Sequence, residues 1–152
     1  MATLFGIAIK PQRLQPMHLL SATELSVALG VVGDSRGMPG PRQVTLLSHA
    51  AWRAACDELG VHLPWTARRA NLLVDDLALF QSSGSRILIG DAVLEITGET
   101  DPCSRMEAEQ QGLYAALKRD WRGGVCCRVL QGGRLTLGTD VLPGTANGQD
   151  PR

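Results

Sequence analysis

Aromatic side chains are scarce in this sequence. Two phenylalanines, three tryptophans and one tyrosine make up 4% of the 152 residues, so any core must be aliphatic. Lysine is scarcer still. Lys10 and Lys118 stand alone among fifteen basic residues, and the others are arginine. Fifteen acidic residues cancel them, which leaves no bulk charge to hold nucleic acid or an anionic membrane. No apolar run approaches the roughly 20 residues of a membrane-spanning helix. The opening MATLFGIAIKP lacks the basic start and long apolar stretch of a secretory leader. The four cysteines, at 56, 103, 126 and 127, form no C-x-x-C pair and no Cys/His pair of zinc-binding spacing. Free thiols in a reducing, cytoplasmic setting are therefore expected. His18, His49 and His62 are scattered and compose no triad. The chain also lacks a complete phosphate-binding P-loop, a dinucleotide G-x-G-x-x-G context and any internal repeat.

What is present reads as one domain over 1–143 with a polar tail at 144–152. Apolar, β-branched runs predict strands at 3–9, 20–27, 43–48, 87–90, 92–98, 124–130, 134–138 and 140–143. The first of these, TLFGIAI, alternates poorly. A helix is predicted over 49–60, capped by Ser48 and ended by Gly60. Its apolar stripe is Ala51, Ala54, Ala55 and Leu59, with Trp52 at the margin and Cys56 as a small buried filler. Residues 65–74 read as a helical turn running into a strand. Residues 104–121 read as a second helix, weakened at Gly112. The Gly/Pro-dense 30–43 segment must be loop. Gly90-Asp91 and QGGR (131–134) read as hairpin turns. The fold class expected is mainly β (α+β): a mixed sheet closed, or nearly closed, into a barrel with two or three helices.

Three segments carry chemistry. In GETDPCSRME, Cys103 stands between a strand and a helix. Unpaired N–H groups at a helix start favour a thiolate, the form that attacks electrophiles and binds metals. Arg105 adds to that effect, whereas Asp101 and Glu107 oppose it. A nucleophile, a metal ligand and a structural thiol all remain open on this basis. GDSRG (33–37) offers close backbone approach and the guanidinium fork of Arg36, or else it is a turn with a solvated arginine. RRAN (68–71) reads as a functional pair of arginines or as surface charge. Cys126 and Cys127 are adjacent on a strand, so they point to opposite faces and read as structural.

Taken in order, GVVGDSRG, PRQVTLL, RRANLLV, LEITGETDPCSRME and GLYAALKRDWRGGVCCRVLQGG resemble the MOSC domain, in its small stand-alone bacterial form, over about residues 3–142. That resemblance implies a helix-decorated β-barrel that binds molybdenum cofactor. It implies that Cys103 is the catalytic thiol, either as the molybdenum ligand or as a sulfur carrier in persulfide form. It further implies that Thr100, Arg69, Asn71 and Arg36 contact the cofactor, with Arg13 or Lys10 as the amino-terminal basic contact. A soft thiolate suits a metal already surrounded by sulfur, and arginine forks suit phosphate and pterin. The implied activity is reduction of N-hydroxylated compounds, or carriage of sulfur or cofactor. The partner would be a redox protein or a cysteine desulfurase, with no nucleic acid and no membrane. The competing reading is a non-catalytic anion- or cofactor-binding module with a structural cysteine. Pyridoxal phosphate is not expected, because it needs a Schiff-base lysine. Lys118 reads as lying on a charged helix face and Lys10 in the first turn.

Overall fold

The computed structural model describes residues 2–144, so the expected tail lies outside the described residues apart from Gly144. Seven strands close a barrel: β1 (Ala2–Ile9), β5 (Val44–Ser48), β6 (Leu72–Val74), β7 (Arg86–Ile89), β8 (Ala92–Glu99), β9 (Val125–Gln131) and β11 (Asp140–Pro143). Around the ring the order is β11-β7-β8-β9-β5-β6-β1, and β1 returns to β11 through Ala2 opposite Val141 and Thr3 opposite Asp140. The sheet is mixed, because β5 and β6 run parallel while the other pairs are antiparallel. A short β2 (His18–Leu20) adds to β1 outside the ring. A second sheet, in the order β10-β3-β4, joins Gly133–Thr136, Ala22–Ser26 and Gly30–Val31. The mainly β barrel expected from the sequence is the fold, with three helices: α1 (His49–Glu58), α2 (Ser104–Glu109) and α3 (Leu113–Lys118).

Strand periodicity explains how the barrel fills. On β5 and β6, Val44, Leu46, Leu72 and Val74 point into the barrel, while Leu47 and Leu73 point out beneath the helices. Both faces are covered, so these strands are mostly apolar. The poor alternation of β1 has a specific cause. A bulge between Leu4 and Gly6 shifts the inward set from Leu4 to Ile7 and Ile9, and it leaves Phe5 outside, stacked on His49. A second core packs Trp52, Ala55 and Cys56 of α1 against Met106 of α2 and Leu113 and Leu117 of α3. Cys56 is the expected filler, but the buried face of α1 is Trp52, Ala55 and Cys56. Ala51 and Ala54 flank it, so Trp52 is central rather than marginal.

Three further expectations change. The 104–121 helix is two short helices, because Gln110 is extended and Gly112 adopts φ +89°, a conformation that costs glycine nothing. QGGR is not a hairpin: β9 pairs with β8 and β5, and β10 crosses to pair with β3 in the other sheet. The 20–27 strand is split at Ser21, which sends β2 to β1 and β3 to the small sheet.

Asp75 ties the start of β1 to the end of β6. Its carboxylate accepts from the Thr3 N–H (2.8 Å), the Asp76 N–H (2.9 Å) and the Thr3 hydroxyl (3.2 Å). The Thr3 N–H foremost, and then these other donors, hold its pKa below the ordinary aspartate value. A depressed folded pKa gives stability that is present above the unfolded value and lost as pH falls through the folded one. Asp75→Asn is therefore expected to flatten the fall in unfolding midpoint below about pH 4. Parallel wild-type and variant curves across that range would contradict this role.

Candidate functional site

A cavity of about 380 Å³ opens where the end of β1, the 33–37 loop, the turn after 65–68 and the 100–106 segment converge. Its walls carry Lys10, Arg36, Arg42, Arg68, Arg69 and Arg105, against only Asp34 and Asp101. A chain with no net charge has gathered six of its fifteen basic residues around one hollow. Such a site draws anions and holds them with bidentate donors.

Each cation is placed by its local sequence. Asp34 accepts from the Lys10 N–H (2.8 Å) and the Arg36 N–H (3.2 Å), and the Ser35 N–H donates to the Lys10 carbonyl (2.9 Å). The GDSRG loop thus folds back on the end of β1 and brings Arg36 to the cavity. Arg69 ends the 3₁₀ turn Trp65–Arg68 in a left-handed conformation, φ +64°, unusual for a residue with a side chain. Asn71 fixes that turn. Its Oδ1 accepts from the Thr45 N–H (3.1 Å) and hydroxyl (3.2 Å), and its Nδ2 donates to the Ala8 carbonyl (3.2 Å). Asn71 lines the cavity, yet these bonds to β1 and β5 make it the holder of the Arg69 turn.

Arg68, which the sequence leaves open between a functional and a surface role, is a buried tie. It is 8% exposed, and it donates from Nε to the Gly123 carbonyl (3.0 Å) and from NH2 to the Thr100 carbonyl (2.8 Å). Burial foremost pushes its pKa down, and Cys103, Cys126, Asp101 and Glu99 push it back up. Gly123 admits this contact, since a Cβ there would lie 2.9 Å from the Thr100 carbonyl oxygen and 3.1 Å from the guanidinium. Gln43 is a second residue without a sequence signal. Buried, it donates to the Val27 (2.8 Å) and Gly37 (3.0 Å) carbonyls and accepts from the Val129 N–H (2.9 Å), strapping the long loop to the barrel.

Cys103 is exposed and lies on the rim of the cavity, at the N-cap position of α2, where its side chain caps no N–H. α2 is only six residues long, so positive charge near the sulfur comes from Arg68 and Arg105 rather than from a long helix. Thr100 is buried beside it, with Oγ1 3.3 Å from the Cys126 sulfur. Cys126 and Cys127 do take opposite faces: Cys127 lies in the barrel core, and Cys126 meets Thr100. Burial pushes the Cys127 thiol far up, which makes it inert. Glu99 is also raised, by burial and then by neighbouring Asp101.

Cys103, Arg36, Arg69, Asn71 and Thr100 therefore meet in one place. Arg13 is exposed and does not line the cavity, although it is close enough to help depress the Lys10 pKa. The amino-terminal cation in the wall is Lys10, which follows β1 and is 6% exposed, rather than lying out in the first turn. Among the described residues, no group of His, Cys, Asp and Glu side chains could hold a metal ion unaided, and no helix is long and apolar enough to cross a membrane.

The architecture has counterparts. The YuaD protein of Bacillus subtilis superposes with a TM-score of 0.76 at 21% identity, covering 92% of this chain and 93% of that one. YiiM from Geobacillus stearothermophilus gives 0.73 at 15% identity, covering 94% and 75%. YiiM from Escherichia coli gives 0.67 at 14% identity, covering 93% and 68%. At these identities the likeness is one of fold. Among curated proteins none matches the chain. The sequence does match the MOSC domain over residues 33–142, a stretch that holds Arg36, the Arg68–Asn71 turn, Thr100 and Cys103. The chain belongs to the MOSC domain family.

Proposed function

We propose that the cationic cavity binds the molybdenum cofactor and that Cys103 is the working sulfur. One observation carries this reading: an exposed thiol and six cations, drawn from distant parts of the chain, line the same hollow. The donor set fits a phosphorylated, sulfur-rich cofactor. Arginine forks suit its phosphate and pterin, and a single soft sulfur suits a metal that arrives already ligated. Lys10, Arg36 and Arg69 would grip the anionic parts, Asn71 would keep the Arg69 turn in place, and Cys103 would supply the protein's ligand. When bound, the cofactor supplies two-electron chemistry suited to reducing N-hydroxylated compounds, with electrons from a partner redox protein.

The same thiol supports a carrier role. The Cys103 thiolate would attack the outer sulfur of a cysteine desulfurase persulfide, form a new S–S bond and release the partner's thiolate. The exposure of Cys103 favours this reading, because a partner's sulfur must reach it. Protein expressed in a host with an intact cofactor pathway is expected to retain molybdenum and pterin in near-equal amounts. Metal- and pterin-free protein that still binds phosphate would overturn the reading in favour of a plain anion-binding module.

A further inference from the structure

Of the two lysines, Lys118 lies at the surface with 47% of its side chain exposed, whereas Lys10 is 6% exposed. The main chain of Lys10 is clamped on both sides, by Asp34 at its N–H and by Ser35 at its carbonyl. Its ammonium nevertheless pairs with no carboxylate among the described residues, although it lines the cavity. Charged groups face it from each neighbouring element. Arg13 approaches from its own turn, Arg36 and Asp34 from the 33–37 loop, Arg69 from the turn after 65–68, and Arg105 from α2. Glu109 lines a shallow groove that Lys10 also borders. Burial first, and then Arg69, Arg36, Arg105 and Arg13, push the amine below the ordinary lysine value. A desolvated lysine crowded by cations exposes its lone pair nearer neutral pH, the condition for attack on a carbonyl. The same guanidinium groups can hold a carboxylate or phosphate beside it.

We propose that Lys10 is a carbonyl-capturing amine and that the cavity takes small anionic aldehydes and α-oxo acids as imines. The Nζ lone pair forms a bond to the carbonyl carbon, and the carbonyl oxygen gains a proton. That oxygen then leaves as water with a second proton, and a C=N bond forms. Nothing is oxidised or reduced. The step needs neither molybdenum nor the sulfur of Cys103, so it stands or falls apart from the cofactor reading.

The test uses the full chain purified from a host without cofactor synthesis, treated with glyoxylate and sodium cyanoborohydride near neutral pH. Cyanoborohydride delivers hydride to the imine and fixes it as a carboxymethyl amine, which peptide mass spectrometry locates. Lys118 is the internal reference. Lys10 is expected to react several-fold faster than Lys118, because the guanidinium groups of the cavity hold the glyoxylate carboxylate beside its amine. Inorganic phosphate should slow Lys10 and leave Lys118 unaffected. Acetaldehyde, which carries no anion, should lose most of the preference. Lys10→Arg, which keeps the charge, should remove the fast site while the unfolding midpoint stays in place. Equal rates at the two lysines, no protection by phosphate, or the same preference with acetaldehyde would each overturn the proposal.

Discussion

Cys103→Ser is expected to abolish the activity proposed above while leaving the fold untouched. The side chain is exposed, caps no helix and belongs to neither hydrophobic core, so the unfolding midpoint should move by no more than about 0.5 kcal/mol equivalent. Serine is nearly the same size, but it offers a hard oxygen that stays protonated at neutral pH and cannot carry sulfur. Loss of a residue that supports a metal ligand costs about 10–100-fold, so on the proposed reading loss of the ligand itself should exceed about a hundredfold. The measurement is turnover of an N-hydroxylated substrate with a supplied electron donor, beside persulfide loading from a cysteine desulfurase. The cations are unchanged, so retention of the pterin should fall far less than activity. A serine variant equal to wild type in both turnover and sulfur loading would leave Cys103 without a chemical role.

Arg68→Met is expected to give the largest loss of stability. The guanidinium spans two buried carbonyls, at Thr100 and Gly123, and methionine fills much of the space while satisfying neither. An unsatisfied buried acceptor costs about 1–3 kcal/mol, so the pair implies a loss of roughly 2–6 kcal/mol in chemical denaturation. Arg68→Lys should recover only part of this, since one ammonium cannot reproduce the fork. Both variants should also weaken anion binding, because the Thr100 strand end and the Gly123 turn form part of the cavity wall. An Arg68→Met midpoint within experimental error of wild type would show that these carbonyls do not depend on the side chain.

The barrel was readable because aliphatic strands and a Gly/Pro-dense loop leave few alternatives, and because the 49–60 helix carries its own cap in Ser48, which accepts from the Ala51 N–H at 3.3 Å. Sheet membership was not readable. Nothing local in QGGR says that β10 leaves the barrel for β3, since that choice is made by residues more than a hundred positions away. The candidate site was legible through the family resemblance: local chemistry left Arg36 of GDSRG and Cys103 open between functional and structural roles, and the resemblance to the MOSC domain joined them. The burial of Arg68 and Lys10 was not legible for a shared reason. Their type signals surface, and only tertiary burial against Gly123 in one case and the 33–37 loop in the other turns them inward.

The junction between β1 and β11 has a bearing on how the molecule is made. It joins Ala2 to Val141, so the ring cannot shut until nearly every described residue has left the ribosome. Until then the start of β1 and the edge of β7 stay unpaired, and the entropy of linking such distant segments is met at the last step. Slow folding, and vulnerability to strand exchange while the cylinder is still open, follow directly from where its seam is placed.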